Sequence, residues 1–222
     1  MCGRTTITVT KEELENYYRA SFAGDFQPTY NAAPSQLLPI VRNISPGKIE
    51  LAKWGFLPKW LKEKRRQGFI NSKAETIFEK PMFKNAVLNK RCLVPADGFF
   101  EWQDQTRVPY YIKVRNSKIF SFAGIWEDFK DEEYNDVLTY SILTTSSRLD
   151  MQSIHGRMPV ILERDKERLW LEARGIEEIK DALKKPVDDF EMYAISKRIN
   201  SPRNNYPALL NRAAETRKQK IA

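Results

Sequence analysis

The stretch from Cys92 to Thr144 constrains this chain more than any other feature. Five apolar runs follow one another there: Cys92 to Pro95, Gly98 to Gln103, Tyr110 to Val114, Ile119 to Trp126 and Val137 to Thr144. Polar turns separate them. Short runs rich in β-branched and aromatic residues, bounded by turn residues, read as strands. Strands that succeed one another without helical crossovers build a mostly antiparallel sheet.

The flanks supply the helices. Lys11 to Ala20 reads as a helix with Thr10 as its N-cap. Ala74 to Glu79 reads as a short helix, and Pro81 opens another. Lys166 to Ala173 and Glu177 to Leu183 read as two more. Further strands are expected at Arg4 to Val9, Leu37 to Arg42, Ile49 to Trp54, Pro159 to Leu162 and Phe190 to Ser196. Ser45-Pro46-Gly47 turns the chain between the second and third of these. Gly24 to Pro34 reads as a loop broken by Pro28 and Pro34, and Lys59 to Gly68 as a charged, irregular run. The expected class is α+β: a single domain over 1–212 with a barrel-like, curved, mostly antiparallel sheet flanked by helices, then a basic, frayed tail over 213–222. No βαβ alternation and no glycine-rich phosphate loop occurs, so dinucleotide-binding and P-loop classes are excluded.

Composition narrows the partners. With 222 residues the chain suits one domain, or at most two small ones. It carries 37 Lys plus Arg against 29 Asp plus Glu, a net charge of +8 that favours an anionic partner. No apolar run is long enough to span a membrane, and MCGRTTITVT lacks the apolar core of a signal peptide, so a cytoplasmic protein is expected. Two cysteines and one histidine make a poor zinc site, so neither metal nor cofactor is expected. A reducing compartment disfavours a Cys2–Cys92 disulfide.

Four residues are candidates for chemistry. Removal of Met1 would leave Cys2 with a free amine beside its thiol. Their reference pKa values, about 7.7–8.0 and about 8.5, give both groups reactive forms near neutrality. A 1,2-aminothiol captures aldehydes, because the amine forms an imine and the thiolate closes a five-membered thiazolidine. An incidental buried cysteine fits the same position. His155, the single histidine, lies in SIHGRMPVIL at a turn entering a strand, as a proton shuttle or a structural residue. Glu101 lies among aromatics in GFFEWQ, either facing solvent or buried with a raised pKa. Asn71, in FINSKAET, either orients a substrate oxygen or caps the following helix. Arg4, Lys53, Lys59, Lys73 and Arg157 are candidates for phosphates, Trp54 and Trp102 for base stacking, and Pro34 for a wedge beside a base step. Cys92 reads as a small core residue.

Together these segments resemble the SOS response-associated peptidase (SRAP) family, whose members shield abasic sites. The matching segments are MCGR at the start, YNAAPSQ at 30–36, WGFLPKW at 54–60, INSKAET at 70–76, RCLVPADGFFEW at 91–102, FAGIWE at 122–127, TTSS at 144–147 and IHGRMPVIL at 154–162. The resemblance implies that Cys2 bonds to the abasic C1′ aldehyde and that Asn71 fixes the substrate and the amine. It implies acid/base work for Glu101 and proton donation to the sugar for His155. It implies DNA contacts for Arg4, Pro34, Trp54, Lys73, Trp102 and Arg157. The implied partner is single-stranded DNA containing abasic sites, met by a monomer at the nucleoid, with replication-fork proteins as further partners. Two positions depart from the family pattern: Lys73 stands where arginine is usual, losing a bidentate fork, and Gly156 stands where aspartate is common. Three alternatives stay open: a thiol peptidase or Met1-removing autopeptidase acting through Cys2, a non-covalent single-strand binder, and a lyase acting through the N-terminal imine.

Overall fold

The computed structural model describes residues 2–61, 68–130 and 135–213, with the backbone alone at Leu149. In chain order the elements are β1 (Thr5–Ile7), α1 (Lys11–Tyr18), β2 (Ser21–Phe22), β3 (Thr29–Ala32), β4 (Leu37–Arg42), β5 (Lys48–Trp54) and β6 (Asn71–Lys73). There follow α2 (Pro81–Asn89), β7 (Arg91–Ala96), β8 (Gly98–Trp102), β9 (Pro109–Val114), β10 (Phe120–Lys130) and β11 (Asp136–Ser146). The last are β12 (Arg157–Pro159), β13 (Ile161–Leu162), α3 (Lys166–Glu172), α4 (Ile176–Ala182) and β14 (Phe190–Ala194).

Five strands close into a barrel. Around the ring, β4 pairs with β5, β5 with β11, β11 with β10, β10 with β7, and β7 with β4. The β5–β11 join is parallel and the other four are antiparallel. Closure removes the exposed edges of these strands. It also explains why β7 is buried at every position: one face meets the barrel interior and the other is covered by α2 and α3. A second, antiparallel sheet runs β14-β9-β8-β1-β3. It carries the amino terminus, and the site grows from it. The expected α+β class with a barrel-like, mostly antiparallel sheet is the observed one.

Local signals explain the elements that sequence placed well. Thr10 caps α1 as expected: its Oγ1 accepts from Glu13 N at 3.2 Å while Glu13 Oε2 accepts from Thr10 N at 2.8 Å. Pro81 sits in the first turn of α2, where no intrahelical donor is required. Arg91, 2% exposed, donates through Nε to Trp170 O, through Nη1 to Val87 O and Leu88 O, and through Nη2 to Leu171 O and Ala173 O. One guanidinium thus satisfies the carboxyl ends of both α2 and α3, whose last carbonyls have no helical partners.

Three expectations are corrected. The stretch expected as a loop contains β3, which pairs with β1 (Thr5↔Ala32). The segment expected as one strand at Pro159 to Leu162 is two, β12 pairing with β11 and β13 with β10. Ala74–Thr76 is a single 3-10 turn, preceded by the unexpected strand β6 parallel to β11. Most of the charged run at 62–67, and the tail from 214 onward, lie outside the described residues. No described helix is long and apolar enough to cross a membrane.

Candidate active site at the amino terminus

The register of β1 against β8 builds the site. Thr5 pairs with Phe99, and Phe100 N donates to Arg4 O at 3.0 Å. Continued backwards, this register carries Cys2 and Gly3 along Glu101 and Trp102. Cys2 is fully buried. Its carbonyl accepts from Asn71 Nδ2 at 2.8 Å. Asn71 is therefore no helix cap. It is held at the start of β6, where Ile70 O accepts from both Ile142 N (3.1 Å) and the Trp54 indole Nε1 (3.0 Å). Asn71 Oδ1 is buried and has no hydrogen-bond partner among the described residues. A buried acceptor left unmet costs free energy, so this atom is ready for a donor.

Glu101 is 2% exposed on β8, on the buried side of its two alternatives. Burial pushes its carboxyl up to about 7, with the amino-terminal charge opposing the rise. At neutral pH such a group both gives and takes protons. The Cys2 thiol is held far above the usual thiol range, first by burial and then by the Glu101 carboxylate beside it. The thiol therefore stays protonated until a base takes its proton. His155 lies half-buried in the turn before β12. Its Nδ1 lies 2.9 Å from Arg157 N and 3.1 Å from Arg157 O; in the tautomer with the proton on Nε2 it accepts from Arg157 N. Burial, then the amino-terminal charge, lowers its pKa, so the neutral imidazole is favoured. Glu101 and His155 both respond to charge at the chain's amino terminus.

The folded pKa of Glu101 fixes the sign of a stability prediction. Its raised value means that the native state holds a proton that the unfolded chain loses near pH 4.5, so stability falls as pH rises from 4.5 towards about 7. Glu101→Gln is expected to flatten this fall and to stabilise the protein at pH 8 by on the order of 3 kcal/mol. Urea unfolding of both proteins at pH 5 and pH 8 measures it. Equal pH slopes would refute the burial of an ionisable Glu101.

The expected DNA contacts divide. Lys73 is exposed, and Pro34 and Trp102 are half-buried. Trp102 Nε1 donates to Asn200 Oδ1 at 2.8 Å. Arg4 already donates to Asn31 Oδ1 (2.6 Å), Ile199 O (2.9 Å) and Asn200 O (3.2 Å). Arg157 forks onto Glu75 at 2.8 and 3.0 Å and onto Thr144 O at 2.7 Å. Lys53 is half-buried and Lys59 exposed. Trp54 is a correction: it is fully buried, parallel to the Tyr140 ring at 6.2 Å between centroids, and has no face to offer a base. Barrel closure between β5 and β11 put it there. Sequence reading missed its neighbour in the same motif, Trp60, which is 62% exposed. Trp60 lines a cleft of about 570 Å³ walled by Phe69, Met82 and Phe83 and edged by Asn71, Lys73 and Lys80. Its place after the Leu57-Pro58 break was the available signal. Cys92 is a buried core thiol as expected. Among the described residues no group of three or more His, Cys, Asp or Glu is placed to hold a metal ion.

Comparison with known proteins fits this arrangement. Residues 1–202 match the family described as SOS response associated peptidase (SRAP). Abasic site processing protein YoqW of Bacillus subtilis is 38% identical over 221 residues, spanning 95% of this chain and 99% of that one. Abasic site processing protein HMCES of Xenopus tropicalis is 29% identical, over 99% of this chain and 80% of that one. A crystal structure of a protein from Bacteroides thetaiotaomicron superposes with a TM-score of 0.87 at 28% identity, covering 96% of this chain and all (100%) of that one. With a match over nearly its whole length, and with Cys2, Asn71, Glu101 and His155 gathered around its amino terminus, the chain belongs to the SOS response associated peptidase (SRAP) family.

Proposed function

We propose that the protein processes abasic sites in single-stranded DNA by bonding to them through Cys2 once Met1 has been removed. The names of its relatives support the substrate. The observation that carries the chemistry is Asn71: its Nδ2 holds the Cys2 carbonyl at 2.8 Å while its buried Oδ1 waits for a donor. An amine on Cys2 is such a donor.

The steps balance without an oxidant or reductant. His155, as the imidazolium, gives its Nε2 proton to the ring oxygen of the abasic sugar while the C1′ hydroxyl releases its own proton to solvent, and the hemiacetal opens to the C1′ aldehyde. The Cys2 amine adds to C1′, and both amine protons, relayed by Glu101, leave with the aldehyde oxygen as one water, forming an imine. The thiol sulfur then bonds to C1′ while its proton passes, through Glu101, to the nitrogen. The product is a thiazolidine cross-link, and one water has been lost. Holding aldehyde and aminothiol together makes the closure effectively intramolecular, worth up to about 7–11 kcal/mol in ideal cases. The adduct removes the aldehyde that would drive strand breakage, so the protein shields the site.

The strand is held by the cleft beside Asn71. A base flanking the lesion stacks on Trp60, and phosphates meet Lys73 and Lys80. Base–aromatic stacking contributes about 1–3 kcal/mol. Trp60→Ala is therefore expected to weaken binding to a single-stranded oligonucleotide by roughly 10-fold, with its melting temperature unchanged. Trp54→Ala is expected instead to destabilise the fold. Fluorescence anisotropy and thermal melting distinguish the two; unaltered affinity in Trp60→Ala would remove the cleft from the DNA path.

Mass spectrometry tests the central reading. The processed protein, mixed with an oligonucleotide bearing one abasic site, is expected to form a heat-stable adduct with the mass of the sum less one water. Binding without an adduct would reduce the protein to a non-covalent single-strand binder.

A further inference from the structure

The turn between β8 and β9 reaches across to the turn that carries His155. Asp104 N donates to Ile154 O at 2.9 Å, and Gln103 Nε2 donates to Ser153 O at 3.1 Å. In the opposite direction, Gly156 N donates to Asp104 Oδ2 at 3.3 Å. The backbone on both sides of His155 is thus tied to one neighbouring turn. Asp104 Oδ1 then lies 3.6 Å from His155 Nε2, within ion-pair range. Position 156 supplies no side chain of its own, and a Cβ there would meet nothing within 4 Å. The carboxylate beside the imidazole comes from the other turn.

We propose that Asp104 is the positioning residue for His155: it orients the ring with its proton on Nε2 and stabilises the imidazolium whenever the ring takes up a second proton. The other charges around the ring act differently. Arg107, on the same turn as Asp104, and the amino-terminal charge both disfavour the imidazolium. The Arg157 guanidinium on β12 is turned away onto Glu75. Asp104 opposes these influences and favours the imidazolium. Its carboxylate is 57% exposed, so solvent screens the attraction. A close ion pair under partial screening moves a pKa by on the order of half a unit to one unit.

The coupling is testable without DNA, because the chain has one histidine. The imidazole proton resonance of the full chain, free of any affinity tag, is followed by NMR from pH 4 to 9. Asp104→Asn keeps an acceptor for Gly156 N and removes the charge. It is expected to lower the His155 pKa by about half a unit to one unit. Arg107→Gln is expected to raise it. An unmoved His155 pKa in Asp104→Asn would overturn the proposal, and a folded spectrum in the same samples excludes unfolding as the cause. The consequence for capture rests on the proposed function, and a second readout separates the two. If the His155 pKa falls but the pH profile of adduct formation stays fixed, the pairing with Asp104 stands and the role of His155 in capture fails.

Discussion

Cys2→Ser, freed of Met1, is expected to cut an abasic oligonucleotide that, on the proposed function, the wild-type protein captures intact. Serine keeps the amine and the small side chain that permits Met1 removal. Its amine still condenses with the aldehyde to the same imine. Ring closure then needs an oxygen nucleophile whose proton is far harder to remove than a thiol's, so closure no longer competes. The imine acidifies the neighbouring C2′–H. Loss of that proton and breakage of the C3′–O bond expel the 3′ phosphate, which nicks the strand. Heat-stable adduct should drop on the order of 100-fold or more, nicked product should appear, and borohydride should trap the imine. Cys2→Ala should behave in the same way. Undiminished heat-stable adduct in both variants would exclude the thiol from the bond. The absence of both nick and adduct would exclude the amine as the attacking group.

The largest expected loss of stability lies away from the site, at Arg91. Its buried guanidinium meets no carboxylate among the described residues, and its donors are spread over five main-chain carbonyls at the ends of α2 and α3. The partial negative charge at two helix ends serves as its counter-charge. Arg91→Met fills similar volume and supplies no donor, leaving those carbonyls buried and unmet. The expected cost is about 3–5 kcal/mol, or roughly a 10 °C fall in Tm for a domain of this size. Arg91→Lys keeps the charge and three donors but loses the planar fork, so it should recover only part of that loss. Denaturant unfolding of the three proteins measures the series. A loss below about 1 kcal/mol in Arg91→Met would mean that the carbonyls find water instead.

Much of the architecture is local and was legible. Thr10 three residues before Glu13 specifies where α1 starts, because the capping box forms within a few residues of chain. The five apolar runs from Cys92 onward specify strands, and two of the turns between them join antiparallel neighbours, β8 to β9 and β10 to β11. The proposed reactive pair on Cys2 also comes from sequence, since a 1,2-aminothiol needs only its position behind Met1.

Other features depend on contacts between distant residues. β3 carries no strand signal of its own and exists because β1 pairs with it and Asn205 Oδ1 accepts from Tyr30 N at 2.7 Å. Asn71 looks like a helix cap in sequence, and only the parallel pairing of β6 with β11 turns it towards the Cys2 carbonyl. The two tryptophans of WGFLPKW are equal as letters. Barrel closure at Trp54↔Tyr140 buries one, and the chain's exit after Pro58 leaves the other in solvent. Asp104 gave no sign of a role, because its partner His155 lies 51 positions away. By itself, then, the sequence determined most of the strands and helices and the candidate reactive groups, which are set by residue type and short-range spacing. The tertiary structure decided which of those groups are desolvated and which face one another, because burial and electrostatic coupling arise only when segments far apart in the chain pack together.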